Sequence, residues 1–168
     1  PMVSLVVNQF GGKRVGLIGT KRTVQSNVYA QKLSATDTGI HLQQLATPLL
    51  VHMIEEGFFD NRISHDIIAQ YLGDPVLQNI DALILACTHY PLIKKEIGEY
   101  YQQKVAVLDS SEEVASSLKK YLTDSGLLHQ GPPAAHKFLV SDYTESFEAS
   151  TKLFFGEVVH LEKHRLWE

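Results

Sequence analysis

The residues most able to do chemistry lie together in Cys87-Thr88-His89-Tyr90-Pro91, at the end of the apolar run over residues 81–86 (DALILA). Cys87 is the single cysteine of 168 residues, and His89 follows it at i+2. That spacing can turn both side chains to the same side of a loop leaving a strand. There an imidazole can accept the thiol proton or hold the thiolate. On spacing alone, a small buried cysteine next to a surface histidine is an equally good reading. A phosphatase-type loop would want arginine where Ile93 stands. One cysteine and eight scattered histidines show no two-ligand zinc pattern, so no metal is expected. Gly11-Gly12-Lys13 precedes its strand instead of following it, which makes it a turn and not a phosphate loop.

A second polar exit, Gly19-Thr20-Lys21-Arg22-Thr23, follows the short run over residues 14–18 (RVGLI). Both exits lead into predicted helices, whose free backbone N–H groups favour an anionic guest. Thr20, Thr23 and Thr88 add hydroxyl donors suited to a carboxylate or phosphate. For Thr20 and Thr23 helix capping is the structural alternative, and it is compatible with ligand binding.

These exits need a frame. The unbroken apolar run of residues 81–86 marks a strand covered on both faces, as in a parallel sheet. RVGLI predicts another buried strand, residues 39–46 a third and residues 105–108 a fourth. Helical spacing runs through residues 23–33 (TVQSNVYAQKL), with Val24, Val28 and Leu33 on one face. Pro48 is suited to open a helix that Gly57 stops. Ser64 or Asp60 is the expected cap of the next helix, and Ser110 or Ser111 that of the helix over residues 112–122. After Gly131-Pro132-Pro133 come a strand (136–140), a helix (144–155) and a strand (157–162). Alternation of this kind predicts an α/β fold with a largely parallel sheet and helices on both faces.

Composition narrows the class. With 44% hydrophobic and 20% charged residues, the chain is expected to be globular with a sizeable core. A net charge of −4 without a basic stripe argues against nucleic acid as the primary partner. Apolar runs stop at about ten residues, short of the ~20 that span a bilayer. The lone cysteine is expected in a reducing, cytoplasmic setting. The start at Pro1-Met2-Val3, directly in apolar chain, suggests a longer parent.

Three blocks in order, GTKRT (19–23) with SNVY after it, ATPLLVHMIEEG (46–57) and CTHYP (87–91), resemble the glutamate racemase family. DSSEEVA (109–115) is similar to a further segment of that family, so the likeness runs the length of the chain. CTHYP separates it from the neighbouring aspartate racemases, which usually carry another residue where His89 stands.

The resemblance implies a cofactor-independent (PLP-independent) enzyme that interconverts L- and D-glutamate for peptidoglycan in the cytoplasm. It implies two α/β lobes, with one cysteine from each on opposite faces of the substrate α-carbon. Cys87 corresponds to the second-lobe cysteine, His89 to its proton partner and Glu55 to the glutamate that assists His89. On composition alone Glu55 reads as an exposed acid ending a helix. Thr20, Thr23 and Thr88 match positions that hold substrate. Thr47 replaces a cysteine frequent in the family.

The family's first-lobe motifs, a CNT-type block and a DSG opening, are not in this sequence. Residues 1–108 are therefore expected to be the second lobe, and residues 109–168 a returning segment that would complete a missing N-terminal lobe. Such a piece is expected to be inactive alone. It should expose apolar faces or strand edges, so a homo-oligomer, domain-swapped or otherwise, or a loosely ordered C-terminal part is expected. Two other readings stand beside this one: a non-catalytic module binding a small dicarboxylate or a protein partner, and a racemase for another small acidic amino acid.

Overall fold

The computed structural model describes residues 1–166. Strands β1 (Arg14–Gly19), β2 (His41–Ala46), β3 (Ala82–Ala86) and β4 (Ala106–Asp109) form one sheet in the order β2-β1-β3-β4. Every pairing in it is parallel. The expected α/β architecture is the one found.

The central strands are buried on both faces because successive side chains point to opposite sides. Leu83 and Leu85 of β3 join Ile18, Leu50, Ile54, Tyr90, Ile93 and Ile97 on one face. Ala82 and Ile84 join Val6, Val15, Leu17 and Leu33 on the other. Helices α4 (Pro48–Glu55), α5 (Arg62–Leu72) and α6 (Lys94–Tyr100) supply the first layer. Helices α1 (Met2–Gln9) and α3 (Val28–Ser34) supply the second.

Several boundaries differ from those predicted. The helix expected over residues 23–33 is two: α2 (Lys21–Gln25) and α3. Asn27 between them takes φ 52°, a left-handed conformation that asparagine tolerates and that ends a helix. The Ser26 hydroxyl bonds back to the Thr23 carbonyl at 2.7 Å, competing with helical pairing. Val28 is consequently exposed and not part of a continuous apolar face.

The cap of α5 is Asn61, with Ser64 as the reciprocal partner of a capping box. Helix α7 (Ser110–Asp124) is capped by Asp109, whose carboxylate accepts from the Ser111 N–H at 3.0 Å. Each cap thus lies beside its predicted position, because the strand or turn runs on to the residue that has the acceptor. After Cys87 the chain makes a single 3₁₀ turn, Tyr90–Ile93, before α6 begins. The last strand covers Leu161–Lys163, later than expected.

The chain divides into two compact units, Pro1–Leu127 and the residues from Leu128 onward. Helix α7 belongs to the first. Within the second, β5 (Phe138–Val140), α8 (Glu145–Phe155) and β6 (Leu161–Lys163) make a small βαβ unit with a two-stranded parallel pair. Glu148 holds it closed by accepting from the Leu161 N–H at 2.7 Å. Among the described residues no helix is long and apolar enough to cross a membrane.

Candidate active site

Three strands of the sheet end level with one another. Gly19 of β1 is in register with Ala46 of β2 and with Ala86 of β3. The next residues, Thr20, Thr47 and Cys87, therefore leave the sheet together at its carboxyl edge, where open α/β sheets bind ligands. Neighbouring strands in a sheet lie about 4.8 Å apart, which brings these exits close. Gly19 is needed for the approach: a Cβ there would stand 3.3 Å from the Ala86 carbonyl oxygen and 3.3 Å from Thr23 Cβ.

Cys87 sits at the first bend after β3, partly buried. Its Sγ lies 3.8 Å from Nδ1 of His89. The other ring nitrogen of His89, Nε2, lies 3.2 Å from Oε1 of Glu55. Thiol, imidazole and carboxylate thus form a series, with Nδ1 facing the sulfur and Nε2 facing the carboxylate. A carboxylate at Nε2 orients the ring so that Nδ1 is turned to the sulfur, the arrangement that proton exchange between a thiol and an imidazole needs.

Glu55 is in place because α4 stops there. Gly57 takes φ 75°, the Gly57 N–H bonds to the Ile54 carbonyl and the Phe58 N–H to the Met53 carbonyl. That is a Schellman ending, which leaves the last-turn carboxylate free to face His89. Glu55 also has His52 Nδ1 at 3.9 Å. Below the helix, the buried carboxylate of Glu96 fixes the following loop. It accepts from the Asp60 N–H at 2.8 Å and from the Ser64 hydroxyl at 2.5 Å.

Thr20 and Thr23 are brought together: their hydroxyls share a hydrogen bond of 2.9 Å, and Thr20 Oγ1 accepts from the Thr23 N–H at 3.2 Å. Thr88 lies in the turn between Cys87 and His89. The expectation of open helix N-termini at both exits needs correction. Helix α2 has only five residues, and the Cys87 exit enters a four-residue 3₁₀ turn, so neither carries a long aligned dipole. Hydroxyl groups, more than helix ends, line these exits.

Two contributors were not legible as such in the sequence. Thr47 and Tyr90 are both fully buried, and their hydroxyls share a 2.7 Å hydrogen bond. Burial drives the Tyr90 phenol up to about 12; the Thr47 hydrogen bond opposes this, and the nearby Cys87 adds to it. The phenol stays neutral beside the thiol. At the neighbouring exit, Lys94 pairs with the Asp109 carboxylate at the end of β4. Burial favours the neutral acid at Asp109, but hydrogen bonds from Lys94 and Ser111 and the lysine charge outweigh it and hold the carboxyl below the ordinary range. The one available signal was position: Thr47, like Asp109, stands at the end of a predicted strand.

The Asp/Glu/Hydantoin racemase family model matches residues 2–118, which include every residue of this site. A glutamate racemase of Chlorobium phaeobacteroides is 38% identical over 154 residues, 89% of this chain and 56% of that protein. A glutamate racemase of Persephonella marina is 36% identical over 166 residues, 99% of this chain and 61% of that protein. Among solved structures, glutamate racemase from Francisella tularensis in complex with D-glutamate superimposes with a TM-score of 0.86 at 32% identity, covering 98% of this chain and 60% of that one. A glutamate racemase isoform of Bacillus anthracis gives a TM-score of 0.88 at 29% identity over 98% of this chain and 62% of that one. The chain spans between half and two thirds of the length of these relatives.

Proposed function

This chain belongs to the Asp/Glu/hydantoin racemase family, and from that premise we propose that it carries one of the two proton-transfer faces of a glutamate racemase. The observation that carries this reading is the aligned Cys87–His89–Glu55 series at the carboxyl edge of the sheet, beside the Thr20–Thr23 pair.

In this reading Cys87 removes the α-proton of L-glutamate as thiolate and returns a proton to that face in the reverse direction. His89 exchanges the proton with sulfur, and Glu55 steadies the imidazolium. Thr20, Thr23 and Thr88 hold the substrate carboxylate and amino groups. A carbon acid this weak reacts only when base and substrate are held in near-attack geometry with water excluded. Inversion also requires a donor on the opposite face. With one cysteine in the sequence, the chain alone offers no second thiol, so by itself it does not racemise glutamate.

The second thiol comes from a further lobe, and residues 109–168 complete that lobe. The exposed Val114, Leu118 and Tyr121 of α7 support this arrangement. The complete enzyme supplies D-glutamate for peptidoglycan without a cofactor.

The test is ligand protection of the thiol. Iodoacetamide alkylation of Cys87, followed by mass spectrometry, is expected to slow as L- or D-glutamate is added and to be unaffected by a neutral amino acid. Equal rates with and without saturating glutamate would overturn the substrate assignment.

A further inference from the structure

We propose that Thr47 and Tyr90 are positioning residues that lock the Cys87–His89 turn to the rest of the site, an inference that rests on the thiol–imidazole reading above. Each side chain is completely shielded from solvent. The two hydroxyls bond to each other at 2.7 Å. Thr47 Oγ1 also lies 3.3 Å from the Gly19 carbonyl, and the Tyr90 hydroxyl lies 3.3 Å from the Thr47 carbonyl. One buried hydroxyl pair therefore ties together the ends of three strands: β1 through Gly19, β2 through Thr47, and β3 through the turn that Tyr90 closes.

Its position in the chain makes it relevant to chemistry. Gly19 immediately precedes Thr20, and Tyr90 immediately follows His89. The turn is closed on the Cys87 side by a backbone bond, Tyr90 N–H to Cys87 carbonyl at 3.2 Å. The imidazole is approached from α4 by Glu55, and α4 itself starts at Pro48, directly after Thr47. The same hydroxyl pair thus sets where the thiol turn sits and where the helix bearing its carboxylate begins. Two polar groups in an apolar core are strongly directional, since any displacement leaves a buried hydroxyl without its partner.

A purely structural role would change stability and leave the thiol–imidazole coupling intact, so the coupling is the readout. The coupling factor is the ratio of iodoacetamide rates at Cys87 between a protein and its His89→Asn derivative at neutral pH, measured on the full 168-residue chain. In the unaltered chain this factor is expected to exceed one. Thr47→Val keeps the shape and loses the hydroxyl; Tyr90→Phe keeps the ring and loses the phenol. Each is expected to reduce the factor by roughly two- to ten-fold, the scale of one net buried hydrogen bond. Thr47→Ser, which keeps the hydroxyl, is expected to preserve it even where its thermal midpoint falls.

An unchanged factor in both Thr47→Val and Tyr90→Phe would overturn the positioning role while leaving the thiol–imidazole reading in place. A factor of one in the unaltered chain would overturn that reading itself, and the inference with it.

Discussion

β3 and β4 are parallel neighbours with Leu85 level with Asp109, and each hands the chain to a helix at the same edge of the sheet. Their continuations differ. Past β3, Tyr90, Ile93 and Ile97 are wholly buried under α4 and α5, and the polar residues of the turn stand on that packed base. Past β4, α7 buries none of its residues, and Val114, Leu118 and Tyr121 are 46%, 54% and 63% exposed along one face. The two exits share the same local logic of strand and turn or cap. They differ in how far the apolar face of the following helix is covered. The thiol and imidazole that stand 3.8 Å apart sit on the packed exit. The other exit leaves the apolar stripe of α7 largely exposed.

The largest effect separating these regions is expected from truncating the anchor. Ile97→Ala should lower unfolding stability by about 2–5 kcal/mol in urea titrations, from lost burial and the cavity left behind. A cost below about 1 kcal/mol would mean that the β3 exit is no better anchored than its neighbour.

The next effect concerns pH at the same exit. The Tyr90 phenol, at about 12 in the folded protein against an ordinary 10.0, stabilises the fold below pH 10. That contribution disappears as pH rises from 10 toward 12, and it is on the order of 2 kcal/mol. Tyr90→Phe should therefore flatten the alkaline fall in stability over that window. An unchanged slope would show that the phenol is not held neutral by burial.

A smaller change of opposite sign belongs to the β4 exit. The Asp109 carboxyl is held below its ordinary 3.8, so its contribution is complete above that pH and lost as pH falls further. Asp109→Asn should weaken the acid dependence of unfolding below about pH 4. Identical acid profiles would remove the Lys94 pairing as a stabilising contact.

The smallest effect is expected on the exposed stripe. Leu118→Ala should change stability by less than about 0.5 kcal/mol, as exposed substitutions do. A loss comparable to that of Ile97→Ala would show that α7 is covered in solution.

The contrast also explains what the sequence could reveal. The buried strands were legible because DALILA and RVGLI are apolar without alternation. The spacing of Cys87 and His89 marked the pair as a candidate but left a buried filler cysteine equally open, and the motif resemblance favoured the site. Glu55 was not legible on physical grounds, since a last-turn acid on an exposed helix end looks ordinary until His89 is seen beside it. The break at Ser26-Asn27 was hidden because the apolar period continues through it; only a left-handed asparagine interrupts the backbone. The Thr47–Tyr90 bond joins residues 43 apart and depends on strand register, which no local pattern encodes. Caps were misplaced for a related reason, as several neighbouring polar residues could each serve and the exact strand end decides among them.

The most direct measurement is deuterium-tracked chirality. With the chain incubated with L-glutamate in D₂O and the amino acid resolved on a chiral column, a single thiol predicts no D-glutamate above the uncatalysed background. D-glutamate formed at the rate of a working enzyme would contradict the account, because inversion would then be proceeding without a second sulfur.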